Sequence, residues 1–404
     1  MEAKKSGLCP KRLKNVDAYI QRIVEQGKTA GAGAMIIRHG EVAYCSSFGM
    51  RDREINAPLK NDAIYRIFSL TKTFTVVAAM TLYEKGLFRL HQPIADFLPA
   101  YKNTQTAEHD ERGMIRLVPA KSPVSFEHLF TMTSGIASPG DGSYSTLAML
   151  DVIKKMERNA KKGRPWNLAR LTDEAAKVPL CFHPGAYWMY GFSHDILGRL
   201  IEVISGKRFG VYLAETIFEP LGLKDTAFFV PAEKQDRVVK PYIYGRKGLM
   251  PLDIVNHLGL DPAAPKAPSV ELGGRGLCST MADCARYAQM LLNNGKWENE
   301  RILSRKTLDL IRTSHCVPKE MACSGFEQIN GYGYGLGVRT MLDTAKAGLN
   351  GSVGEWAWDG KMGTWYCIDP AEDLVALFFI QLESGYNSDL YRGFSQTVYA
   401  AIDD

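Results

Sequence analysis

The chain has 404 residues, 46% of them hydrophobic and 23% charged, with a formal net charge of +5. That is ample for a large core, and the length suggests about two to three domains or one domain with a long insertion. The weak positive balance is spread along the chain and makes no case for nucleic acid, and no segment approaches the roughly 18 apolar residues of a membrane span.

The N-terminal stretch carries charge but no apolar run before its first helix, so no signal peptide is expected. Leu8-Cys9 only faintly matches a lipoprotein cleavage site. The eight cysteines (Cys9, Cys45, Cys181, Cys278, Cys284, Cys316, Cys323 and Cys367) include no C-x-x-C pair. A reduced, cytoplasmic protein is the simplest expectation. Neither cysteines nor histidines fall at ligand spacing, so no metal and no cofactor is expected.

Leu13 to Gln26 carries Val16, Tyr19, Ile20, Ile23 and Val24 at helical period, with Gly27 near its C-terminal end. AGAMIIRHG and EVAYCSSFG then read as an antiparallel hairpin. Phe74 to Leu87 is a helix. IADFLP, FEHLFTMTSG, LAMLDVIKKM, SHDILGRLIEVISG, FGVYLAETIFEPLG and MADCARYAQMLLNNG are mostly short helical patterns between Pro- and Gly-rich turns. YGYGLGVRTM, GEWAWDG, GTWYCIDP and LVALFFIQL read as four strands, and Ser388 to Ile402 as a closing helix. The expected fold is therefore α/β: an antiparallel sheet built from both chain ends (1–85 and 295–404), flanked by helices, with a mainly helical insertion (86–294) and the active site between the two. The connections 104–124 and 230–268 are read as loops that shape the pocket.

Within IFSLTKTF, Ser69 precedes Lys72 by three residues. Alone, this is an ordinary helix start with a surface lysine. The chemistry also suits a nucleophile, because residues i and i+3 share a helix face. The positive helix end and apolar Phe68, Phe74 and Val76 disfavour a charged Lys72. A neutral amine there accepts the Ser69 proton.

Further segments match a known pattern in order. FEHLFTMTSGI is similar to "HLLTHTSGL". HPGAYWMYGFSHDILGRLIEVISG is similar to "PGxxxxYSxxxxxxLGxIIExVSG". ELGGRGLCSTMADCARYAQMLLNNG is similar to "GGGGLxSTAxDxARFxxMLLNGG". From about Val16 to Ala400 the chain resembles the penicillin-recognising serine hydrolases, the superfamily of class C β-lactamases, D,D-peptidases and family VIII carboxylesterases. The second motif departs from Tyr-x-Asn as Tyr190-Gly191-Phe192. The third departs from Lys-Thr-Gly as Trp358-Asp359-Gly360, nearest to the Trp-Gly-Gly of the family VIII esterases.

The resemblance implies a role for each site residue. Ser69 is the nucleophile, Lys72 the base or proton relay, and Tyr190 the group that exchanges protons with nucleophile and leaving alkoxide. The backbone N–H of Lys361, after Gly360, completes an oxyanion hole with that of Ser69. Trp358, Trp356, Trp188 and Phe126 form an aromatic wall, or else only pack. Asp359 stands beside the cleft, facing any substrate carboxylate. Arg275 is read as a solvated turn residue before a cleft charge, and His194-Asp195 as a satisfied surface pair. No G-x-S-x-G elbow, P-loop or dinucleotide fingerprint is present. The expected activity is hydrolysis of small esters through an acyl-enzyme. Acyl transfer, amide or β-lactam cleavage, and a silent scaffold are the alternatives. The partner is a small-molecule ester or amide, with neither nucleic acid nor membrane, and no oligomeric state is implied.

Overall fold

The computed structural model describes residues 6–140, 142–252, 261–316, 329–383 and 387–404. Helix α1, Pro10–Glu25, starts with proline in its first turn, where a missing N–H costs nothing. It buries Leu13, Val16, Ile20 and Ile23, each worth about 1.5–3 kcal/mol against exposure. Strands β1 (Gly31–Arg38) and β2 (Glu41–Asp52) form the expected hairpin, with β3 (Ala57–Pro58) at its edge. Five C-terminal strands complete the sheet: β4 (Tyr332–Tyr334), β5 (Arg339–Met341), β6 (Trp356–Asp359), β7 (Thr364–Asp369) and β8 (Leu374–Phe379). The sheet runs β4-β5-β6-β7-β8-β1-β2-β3, with its printed registers antiparallel. Ala34 of β1 lies opposite Phe378 of β8, so the two chain ends meet at its centre. YGYGLGVRTM is not one strand but the hairpin β4–β5, broken where Gly337 turns at φ +74°.

The middle of the chain carries helices α2 (Thr71–Glu84), α3 (Tyr144–Lys161), α4 (Leu168–Ala175), α5 (Ser193–Ser205) and α6 (Met281–Leu292). Helix α7, Asn387–Tyr399, closes the chain. One sheet face packs on α1 and α7 through Val16, Ile20, Ala34, Phe378 and Phe394. The other packs on α6, which contacts β1, β7 and β8. Met281–Leu292 thus lies on the sheet, although the sequence expectation grouped it with the helical insertion. Within the 104–124 connection, Gln105–His109 and Ile115–Pro119 form a two-stranded hairpin rather than a plain loop. A second hairpin, Tyr242–Gly245 with Gly248–Pro251, occupies part of 230–268; residues 253–260 lie outside the described residues. The seven described cysteines are free thiols, and Cys323 lies outside the described residues. No helix among the described residues is long and apolar enough to cross a membrane.

Candidate active site

Helix α2 is buried from Thr71 through Leu82, so a lysine on it is an exception that needs partners. Lys72 is 1% exposed. Its Nζ lies 3.2 Å from Ser69 Oγ and donates to the Gly274 carbonyl at 2.7 Å. Burial holds the amine well below the usual lysine range, and the Arg275 charge pushes the same way. Lys72 is therefore no surface residue. Ser69 is half-buried, in a single 3-10 turn, Phe68–Leu70, that runs directly into α2. Phe68 has φ +44°, a conformation that costs a phenylalanine about 1–3 kcal/mol and so must be held by its surroundings. Ile67 N–H bonds the Leu277 carbonyl, and Thr364 Oγ1 donates to the Ile67 carbonyl at 3.2 Å.

The third motif meets this turn from β6. A Cβ on Gly360 would stand 2.4 Å from the Ile67 carbonyl oxygen, so only glycine lets the strand end approach the Ser69 turn. The Lys361 side chain leaves the site, pairing with Glu383 at 2.7 Å. Strand alternation divides the motif. Trp356 and Trp358 sit in the core shared with the helical region, while Ala357 belongs to the core under α7. Asp359, opposite Trp365 in the register, bonds the guanidinium of Arg339. Arg339 is 2% exposed and lies over the rings of Tyr332, Trp358 and Tyr391. The expectation of an acid facing a substrate carboxylate is thus corrected: Asp359 is one half of an ion pair with Arg339.

Trp358 faces Tyr190. The two rings stack 5.7 Å apart, and the indole Nε1 donates to the Tyr190 hydroxyl at 3.3 Å. That hydroxyl also bonds the Ser69 side chain, and Lys72 Nζ lies 4.4 Å from the Tyr190 ring centre. Burial pushes the phenol up, so Tyr190 rests protonated. Trp188 packs edge-on to Tyr334, which packs edge-on to Trp358. Phe126 belongs elsewhere: stacked on Phe88 and edge-on to Phe97, it fills the helical core rather than extending the aromatic group at Tyr190.

The glycine run of GGRGL presses on the start of α5. A Cβ on Gly273 would meet the His194 carbonyl at 2.3 Å, and one on Gly274 the Asp195 carboxylate at 2.8 Å. His194 and Asp195 are fully buried, not a surface pair, because α5 begins beneath this turn. Asp195 accepts the Gly274 N–H at 2.9 Å and lies 3.6 Å from Arg275 Nη2. Arg275 is 16% exposed and lies over the Phe192 ring, so it is not a solvated turn residue. Sequence reasoning missed Arg339 and Tyr334 and misread Asp195. The available signal was a charge at a position otherwise patterned as apolar: Arg339 between Val338 and Met341, and Asp195 before Ile196-Leu197. Among the described residues no group of three or more His, Cys, Asp and Glu side chains gathers as a metal site.

Comparisons with known proteins agree with this architecture. The Beta-lactamase family model matches residues 16–397. The chain is 30% identical to Protein Rv1367c of Mycobacterium tuberculosis over 371 residues, covering 90% of this chain and 88% of that one. It is 27% identical to Esterase EstB of Burkholderia gladioli over 410 residues, covering 96% and 93%. Among solved structures, EstCE1, described as a hydrolase with promiscuous acyltransferase activity, superposes with a TM-score of 0.80 at 22% identity, covering 96% of this chain and 98% of that one. With its first motif at the turn that opens a buried helix and its third at the end of a sheet strand beside it, the chain belongs to the Beta-lactamase family, with the fold of the penicillin-recognising serine hydrolases.

Proposed function

We propose that the protein is a serine esterase that cleaves small, neutral esters through an acyl-enzyme on Ser69. The observation that carries this reading is the contact between Ser69 Oγ and the amine of a lysine that burial holds well below the usual lysine range. Such an amine takes the serine proton as Oγ attacks the ester carbonyl. The backbone N–H groups of Ser69 and Lys361 are the proposed oxyanion donors; the close approach of Gly360 to Ile67 supports that pairing. Collapse of the tetrahedral adduct breaks the bond to the alcohol. Tyr190, a resting phenol, gives its proton to the departing alkoxide and regains one from the Lys72 ammonium. Water, or an added alcohol, then repeats the attack on the acyl group with the proton steps reversed. Trp358 and Trp188 supply apolar, aromatic surface beside the nucleophile.

The test is a pre-steady-state burst of p-nitrophenol from p-nitrophenyl butyrate, with a fluorophosphonate adduct mapped by mass spectrometry. One adduct per chain on Ser69 is expected. An adduct on another serine, or an active Ser69→Ala enzyme, overturns the assignment. Butanol included in the same assay separates transfer from hydrolysis by its product, butyl butyrate.

A further inference from the structure

The turn that holds Lys72 carries an uncommon arrangement of charge. Gly274 presents its carbonyl to Lys72 Nζ and its N–H to Asp195 Oδ1, so one peptide unit links the amine to a fully buried carboxylate. The hydrogen bond fixes the plane of that peptide, and with it the direction of the carbonyl that aims the amine. The cost is electrostatic. A buried negative charge one peptide away draws a proton onto the lysine that the chemistry needs neutral. The next residue in the same turn is Arg275. Its Nη2 lies 3.6 Å from the second Asp195 oxygen, and its side chain is mostly buried against Phe192.

We propose that Arg275 is a positioning residue that cancels the Asp195 carboxylate, so that the turn can hold Lys72 without adding net negative charge beside its amine. The inference rests on the proposed role of Lys72 as the base. It assigns Asp195 the geometric task and Arg275 the electrostatic one. The other groups facing Lys72 do not replace either. Ser69 and Tyr190 are neutral at rest. His194 of α5 is fully buried, and its ring nitrogens have no hydrogen-bond partner among the described residues; burial holds it well below the usual histidine range, and so uncharged. Asp359 of β6 also favours a protonated Lys72, but it lies outside this turn and is paired with Arg339. Asp195 and Arg275 are therefore the two charges whose balance the turn itself sets.

The sign of each perturbation follows. Removing Arg275 takes a cation away and leaves Asp195 unbalanced; both changes favour protonated Lys72. Removing the Asp195 charge as well reverses the second. The experiment is the titration of Lys72 by NMR in protein labelled with ε-13C-lysine, its resonance identified by its loss in Lys72→Arg. Arg275→Gln is expected to raise the Lys72 midpoint by about one pH unit or more. The acid limb of the kcat/KM profile for p-nitrophenyl butyrate should move up with it. Arg275→Lys should keep both near wild type. Arg275→Gln combined with Asp195→Asn, which retains an oxygen for the Gly274 N–H, should bring both back down. An unmoved Lys72 midpoint in Arg275→Gln overturns the proposal, as does a midpoint in Arg275→Lys that moves equally far. If the double variant does not fold, the Gln and Lys variants at 275 decide it alone. Because the NMR titration needs no turnover, it still reads this inference if the wild-type protein gives no esterase burst, a result that would instead count against the proposed function.

Discussion

Replacing Asp359 with asparagine removes one charge from a pair whose other member cannot reach water. Arg339 is 2% exposed, enclosed by the rings of Tyr332, Trp358 and Tyr391. Removing one partner of a buried ion pair costs about 3–5 kcal/mol, because the remaining charge stays desolvated. Asp359 is itself 21% exposed and Glu355 lies within electrostatic reach of Arg339, so the lower end applies, about 3 kcal/mol. Guanidinium unfolding followed by tryptophan fluorescence should show a lower midpoint for Asp359→Asn at unchanged slope. Adding Arg339→Met should recover part of the loss, since a neutral side chain needs no partner. A midpoint for Asp359→Asn within about 0.5 kcal/mol of wild type would refute the reasoning and mean that Arg339 finds water or another carboxylate.

Further outcomes follow from the site. Lys72→Met and Tyr190→Phe should each lower kcat by about a hundredfold or more, and the double variant should be little worse than either single, as for groups acting on one proton; near-normal turnover by Tyr190→Phe would make it a packing residue. Esterase activity should fall as pH drops through the titration of Lys72, because burial lowers that titration and the proposed base acts only as the neutral amine; a flat acid limb would show that Lys72 is not the base. Burial, with Asp369 nearby, pushes Glu355 up to about 7 from an ordinary 4.5. The folded chain therefore holds an extra proton between those values, and a stability contribution on the order of 3 kcal/mol, full at low pH, is lost as pH rises through 7. Glu355→Gln should flatten that decline in guanidinium midpoints taken at about pH 5 and 8, and an unchanged decline places the titration elsewhere. Finally, p-nitrophenyl butyrate should exceed nitrocefin by about a hundredfold in kcat/KM, equivalent to ~2.7 kcal/mol in the transition state; equal values would mean that the site does hold a carboxylate.

Much of the architecture was legible because period and punctuation agree with it. The apolar face of α1, the β1–β2 hairpin and the C-terminal strands carry the signals their positions require. Ser69, Lys72 and Tyr190 were legible as an ordered set of motifs. What the sequence hid are relations across the fold. Nothing local says that α2 is enclosed on all sides, so Lys72 reads equally well as a surface lysine until its neighbours are placed. Phe126 reads like the other aromatics, yet Phe88 and Phe97 claim it for the core. Asp195 and Arg275 stand 80 positions apart, and only the descent of the 273–277 turn onto α5 turns a surface-looking acid into the anchor of a peptide plane.

The third motif is where this distinction changes the functional argument. Read along the sequence, Asp359 stands beside Trp358 and reads as setting the site against anionic substrates by repulsion. In the sheet the two residues serve opposite faces, and Asp359 is bound to Arg339. On the proposed reading, any selectivity against a carboxylate would then come from the lack of an available cation rather than from an opposing acid. Among the described residues the cations near the site each have a partner: Arg275 has Asp195, Arg339 has Asp359, Lys361 turns away to Glu383, and burial holds the Lys72 amine well below the usual lysine range. On the proposed reading, what stands beside Ser69 to meet a substrate is the phenol of Tyr190, backed by the buried indole of Trp358. That surface gains by covering apolar acyl groups and offers a carboxylate nothing to offset its desolvation, which is the physical basis for expecting neutral esters.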